Sequence, residues 1–248
     1  AAASAGLDGC YALLHRGLYR LAARDWPGAE TDLRRAASLG SGGCELAAGL
    51  ATCAYRAQRC EEALAYIDEA LYARPDSRYH HFRAHILYDL KRYEEAIAPL
   101  DLRLGFEQEP MPVLWMKGVC HMKIGQYEEA MNDLSRARSL DDSITVRYRL
   151  AELYARLERY EEAAAELRGA PDQDDALLLL LGYAYRKLGL RGDALRCFVE
   201  AANIAPRDLR AARFALDELA AAGDIAAMTY AERILAASPD DIETRMRR

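Results

Sequence analysis

The sequence has no CxxC pair, no GxxxxGK[ST] loop, no GxSxG elbow and no HExxH pair. Those gaps remove the usual sequence marks of a structural zinc site, a phosphate cradle, a serine nucleophile and a zinc hydrolase. No catalytic set, metal ligand or cofactor site is assigned. The longest strongly apolar run, Ala176 to Tyr185, is ten residues, about half of what a membrane-spanning helix needs. No run of like charge exceeds a few residues and the net charge is −6, which argues against nucleic acid as a partner. The six cysteines at 10, 44, 53, 60, 120 and 197 show no pairing pattern, so they read as buried thiols in a reducing cytoplasm. The start AAASAG lacks methionine and reads as a processed or excised start.

What is present is helical: 52% hydrophobic and 29% charged residues, too apolar for disorder. Leu7, Tyr11, Leu14, Leu18 and Leu21 recur at helical spacing, and Trp26-Pro27 then opens a second helix with Ala29, Leu33 and Ala36. The same helix-turn-helix pattern returns along the chain. Its small residue marks the period: Ala29, Ala63, Ala96, Ala130, Ala163, Ala194 and Ala227, at intervals of 34, 33, 34, 33, 31 and 33. Paired helices that cross closely need one contact no larger than alanine, and a larger side chain overpacks it by roughly 1–3 kcal/mol.

The most regular copy, Pro112 to Asp142, supplies Leu114, Gly118, Gly125, Tyr127, Ala130, Leu134 and Ala137. In this pattern the chain resembles the tetratricopeptide repeat family. The resemblance implies an all-α fold: a right-handed superhelical solenoid of about seven repeats over 7–239, at 10–43, 44–76, 77–110, 111–143, 144–174, 175–207 and 208–239. Tails are set at 1–6 and 240–248, the latter ending in the basic Arg245-Met246-Arg247-Arg248. Two irregularities stand out. Pro99 lies inside a second helix, where it should kink the chain, with Arg103 at a usually small position. The interval of 31 at Gly169-Ala170-Pro171 and Asp172–Asp175 implies a truncated helix and an acidic turn.

His81, His85 and Asp89 share one helix face, but the first and third sit about 12 Å apart at ~1.5 Å per residue. A polar binding face is therefore expected there rather than a metal site.

In the resembling family the first helices line the concave surface. By face, the groove residues are then Thr52, Tyr55 and Arg56; Arg78, His81, His85, Tyr88 and Asp89; Trp115, Val119, Met122 and Lys123; Tyr148, Glu152 and Arg156; and Leu179, Tyr183, Arg186 and Lys187. Six are basic and two acidic, which favours an acidic or carboxylate-bearing segment, with the aromatics as anchors, Trp115 foremost. The first and last pairs leave apolar inner faces, Leu14, Leu18 and Leu21, and Leu209, Ala212, Leu216 and Leu219, suited to an internal segment or a second copy of the chain. The carboxylate clamp of the chaperone-binding members is absent: Thr52, His85, Val119 and Glu152 stand at its positions, and Asn132 and Asn203 fall on second helices.

The sequence thus points to a non-catalytic, cytoplasmic, bacterial adaptor or scaffold that holds an extended or helical partner segment. Two alternatives remain open: a secretion-associated chaperone or assembly factor, or the regulatory part of a longer enzyme or transcription regulator.

Overall fold

The computed structural model describes residues 2–106, 111–168 and 174–239. Among them are fourteen α-helices and no strands: α1 (Ala2–Ala22), α2 (Trp26–Ser38), α3 (Cys44–Arg56), α4 (Cys60–Ala73), α5 (Ser77–Asp89), α6 (Tyr93–Phe106), α7 (Met111–Ile124), α8 (Tyr127–Leu140), α9 (Ile144–Arg156), α10 (Tyr160–Arg168), α11 (Asp175–Lys187), α12 (Arg191–Ile204), α13 (Leu209–Ala221) and α14 (Ala227–Ala237). They form seven consecutive pairs, and the chain divides into two compact units, residues 1–133 and 134–248. In the first unit α2 packs on α3, α4 on α5 and α6 on α7; in the second, α10 packs on α11 and α12 on α13.

The alanine series explains the pairing. Ala29, Ala63, Ala96, Ala130, Ala163 and Ala194 are fully buried, and Ala227 nearly so. Twelve residues before each lies a second small residue on the first helix: Gly17, Ala51, Ala84, Gly118, Ala151, Gly182 and Ala215, all buried. A large residue fills the space one turn further along the second helix, at Leu33, Ile67, Leu100, Leu167 and Phe198, each at 0% exposure. The fit leaves no room for a methyl group: a Cβ at Gly182 meets the Phe198 ring at 2.6 Å, and one at Gly17 meets Leu33 at 2.8 Å.

The turn inside each pair carries one residue at positive φ: Arg24, Gln58, Lys91, Gly125, Glu158, Gly189 and Gly223. Glycine adopts that conformation without steric cost, whereas Arg24, Gln58, Lys91 and Glu158 hold it near φ 60° against a penalty of roughly 1–2 kcal/mol each. The geometry of the pair, not local preference, sets the turn. Aspartates cap several helices: Asp25, Asp76, Asp174 and Asp208 each accept from a backbone N–H of the following first turn.

Helix α1 begins at Ala2 and so runs through the segment set aside as a tail, in keeping with the high helix propensity of its alanines. Helix α6 continues through Pro99, which is buried. Arg103 donates from Nη1 to Ser77 Oγ at 2.8 Å and so ties α6 to the start of α5. Helix α10 is the short one, at nine residues. The expected turn at Gly169–Asp172 and the tail at 240–248 lie outside the described residues. All six cysteines are free thiols; Cys10, Cys53, Cys120 and Cys197 are buried, and burial pushes the Cys53 and Cys197 thiols up to about 11 and Cys120 to about 12. No helix among the described residues is long and apolar enough to cross a membrane.

Candidate functional site

In the first unit, the first helices bring Leu18 and Leu21 of α1, Ala48, Gly49 and Thr52 of α3, and Arg78 and Tyr79 of α5 around one cavity of 320 Å³, with Glu45 and Arg74 at its rim. Gly49 allows this approach, because a Cβ there meets Leu33 at 2.9 Å and Leu21 at 3.3 Å. Thr52, Arg78, Leu18 and Leu21 were expected on this face from the sequence. Arg74 and Tyr79 are not among the expected groove residues: Arg74 follows the end of α4, and Tyr79 lies in the first turn of α5.

Several other expected groove residues tie the helices together. The Tyr55 hydroxyl donates to Asp89 Oδ2 at 2.5 Å, and its ring meets Phe82 edge-on at 5.4 Å. Burial, together with the Asp89 bond, pushes the Tyr55 phenol up to about 12. Tyr88 packs against Tyr93 at 5.4 Å, and the Arg56 guanidinium lies over Trp26 at 5.1 Å. Trp115 is half-buried against the core shared by α3 to α7. Met122 and Val119 are buried at 4% and 1% exposure, whereas Lys123 is exposed.

The His81 and His85 rings lie edge to face with Nε2···Nε2 at 3.2 Å. Burial, with His85 and Arg103 nearby, holds His81 down to about 4, and burial also lowers His85. Both rings are therefore neutral near pH 7, and one N–H joins them. His81 Nδ1 is buried without a partner, which favours the tautomer that keeps the proton on its Nε2. A metal on that Nε2 would force the proton onto Nδ1 as an unsatisfied buried donor, at about 1–3 kcal/mol. Among the described residues no group of three or more His, Cys, Asp or Glu side chains is placed to hold a metal ion.

In the second unit a cavity of 310 Å³ lies between α9 and α11, lined by Ile144, Thr145, Tyr148, Arg149, Asp174, Ala176 and Leu177. Arg149 also lies over the Tyr148 ring at 5.6 Å. Tyr183 faces Tyr160 at 6.2 Å, and Lys187 lies over the Tyr183 ring at 5.5 Å. Leu179 is buried at 9% exposure.

Three of the six basic residues of these faces pair with carboxylates, and Asp76, Asp217 and Glu218 among them lie outside the sequence count. Arg78 is bidentate to Asp76, whose carboxyl it holds down to about 2. Glu152 accepts from both Arg149 and Arg156, at 2.8 and 3.0 Å. Arg186 reaches Glu218 at 3.2 Å and Asp217 at 4.0 Å, and lies over Phe214 at 5.7 Å. Tyr55–Asp89 and Arg186–Glu218 are one repeat apart in the chain, so a search at the repeat spacing would have found them.

Family models for tetratricopeptide repeats match residues 20–86 and 176–208, and the model for anaphase-promoting complex (cyclosome) subunit 3 matches 110–170. The search of curated proteins found no match. Among solved structures, the C-terminal part of a repeat-containing protein from Cytophaga hutchinsonii superposes with a TM-score of 0.78 at 13% identity, covering 94% of this chain and 98% of that one. A tetratricopeptide repeat protein from Parabacteroides merdae gives 0.72 at 16%, covering 97% of each chain. Pseudomonas aeruginosa PilF gives 0.66 at 20%, covering 85% of this chain and 98% of its own. The fourteen-helix architecture, the paired small residues repeated in every pair and these matches agree that the chain belongs to the tetratricopeptide repeat family.

Proposed function

We propose that this chain is a non-catalytic adaptor or scaffold whose first-helix faces hold an extended or helical segment of a partner protein, in the cytoplasm of a bacterium. The observation that carries the reading is the cavity between α1, α3 and α5, where apolar residues of α1 and α3 meet Arg78 of α5 and Arg74 just before it. Six unpaired thiols suit a reducing compartment. Half-buried Trp115 and Tyr148 supply rigid contact area on the two units. Replacing both by alanine should weaken partner co-purification by about 2 kcal/mol, roughly 30-fold, with helicity unchanged by circular dichroism. Undiminished capture by the double variant removes these faces as the binding surface.

A second reading, a secretion-associated chaperone or assembly factor, draws support from the likeness to PilF and to PilW, described as a type IV pilus biogenesis factor. That likeness, at 20% and 18% identity, is one of fold. This reading requires that the chain co-purify with one exported protein and keep it soluble. A broad set of partners favours the general scaffold.

A further inference from the structure

The rim of the first-unit cavity is chemically asymmetric. Arg74 is exposed, and the neighbouring Tyr79 phenol raises the guanidinium's pKa. No carboxylate lies within ion-pairing distance of it among the described residues. Arg78 stands beside it with its side chain 72% exposed, held only by its surface pair with Asp76. Asp76, 19% exposed, takes only Nε and Nη2 of that guanidinium, so Nη1 keeps no bond among the described residues. The floor is apolar: Leu18, Leu21, Ala48 and the bare backbone of Gly49. The Thr52 hydroxyl donates to Ala48 O at 2.9 Å and adds no spare donor. Glu45 is the one exposed carboxylate of the same lining.

We infer that this cavity is a subsite for a partner peptide in which a bulky apolar side chain is flanked by a carboxylate. The apolar group fills the floor between α1 and α3, and the carboxylate bridges Arg74 and Arg78. The assignment rests on the partner-binding reading above and adds to it the chemistry of the segment.

The test is an array of synthetic nonapeptides with a central Leu, Phe or Trp flanked on one side by Glu or by Gln, probed with the full chain. The expected result is binding of the Glu-flanked apolar peptides about fivefold above their Gln counterparts. That preference should disappear in Arg74→Gln/Arg78→Gln, a surface variant whose helicity and unfolding midpoint should match the parent. Peptide binding with no Glu preference, or a preference that survives in the variant, overturns the subsite and leaves partner binding elsewhere intact. No binding of any array peptide by the folded chain also overturns the subsite, and the Trp115→Ala/Tyr148→Ala capture experiment then decides the broader reading separately.

Discussion

Two buried carboxylates occupy the same position in different pairs of the first unit. Asp32 on α2 and Asp133 on α8 each lie three residues after the pair's alanine, at 3% and 2% exposure. Each meets two groups on the preceding first helix, sixteen and twelve residues back. For Asp32 these are Arg16, bidentate at 2.6 and 2.7 Å, and Arg20 at 2.9 Å. For Asp133 they are Lys117 at 3.9 Å and His121, whose Nδ1 lies at 3.0 Å. Lys117 also pairs with Asp101 at 2.7 Å. The first carboxylate is shallow, hidden mainly by guanidiniums that are themselves partly exposed, and the Arg16 hydrogen bond holds it below the usual carboxylate range. The second is enclosed, and burial pushes it above that range, opposed by Lys117 and His121. The same register therefore yields a saturated ion cluster in one pair and an under-compensated one in the other.

The contrast is broken most directly at His121. His121→Ala should cost about 3 kcal/mol in urea unfolding, because it leaves Asp133 enclosed with only a distant cation; a cost below 1 kcal/mol would show that water reaches Asp133. Next in size is replacement of the cluster by apolar side chains, Lys117→Met/His121→Leu/Asp133→Leu. This should leave stability unchanged or raise it by about 1 kcal/mol or more, and a loss would mean that the cluster specifies the α7–α8 packing. Arg20→Ala should cost less, within the ~0.2–1 kcal/mol of a partly exposed pair, since Arg16 still holds Asp32.

The smallest effect is a tilt with pH, opposite in sign for the two acids. Asp32 has a lowered folded pKa, so its contribution is present above its ordinary value of 3.8 and fades as pH falls below it. Asp133 has a raised folded pKa, so its contribution is full below 3.8 and declines as pH rises above it. Unfolding curves from pH 3 to 7 for Asp32→Asn and Asp133→Asn, each against the parent, should diverge in opposite directions. Parallel curves would remove the distinction.

Most of the fold was legible because the requirement behind it is local and repeated. A close helix crossing needs a small residue at a fixed position, and Ala29 to Ala227 declare it by spacing alone. The partner series from Gly17 to Ala215 is equally regular and could have been read in the same way. The turns were legible only where glycine marks them, at Gly125, Gly189 and Gly223. Arg24, Gln58, Lys91 and Glu158 take the same left-handed conformation under tertiary constraint, against their own preference.

The candidate site was legible by helix face, which brought Leu18, Leu21, Thr52 and Arg78 to one cavity. Arg74 escaped because a residue beyond a helix end has no face to be assigned, and Tyr79, in the first turn of α5, was not read as part of that face. The burial of Met122 and Val119 escaped for another reason: a helix flanked on several sides buries more than one stripe, and periodicity in one chain segment does not report its neighbours.

By itself, then, the sequence determined the paired-helix repeat and its period, because each depends on side-chain size and spacing within about 34 residues. Only the tertiary structure decided which charges remain available. Whether Arg186 meets Glu218, or Arg74 has a phenol beside it and no carboxylate in ion-pairing distance among the described residues, depends on groups that come together only when successive pairs pack, and a Coulomb interaction is set by distance in space.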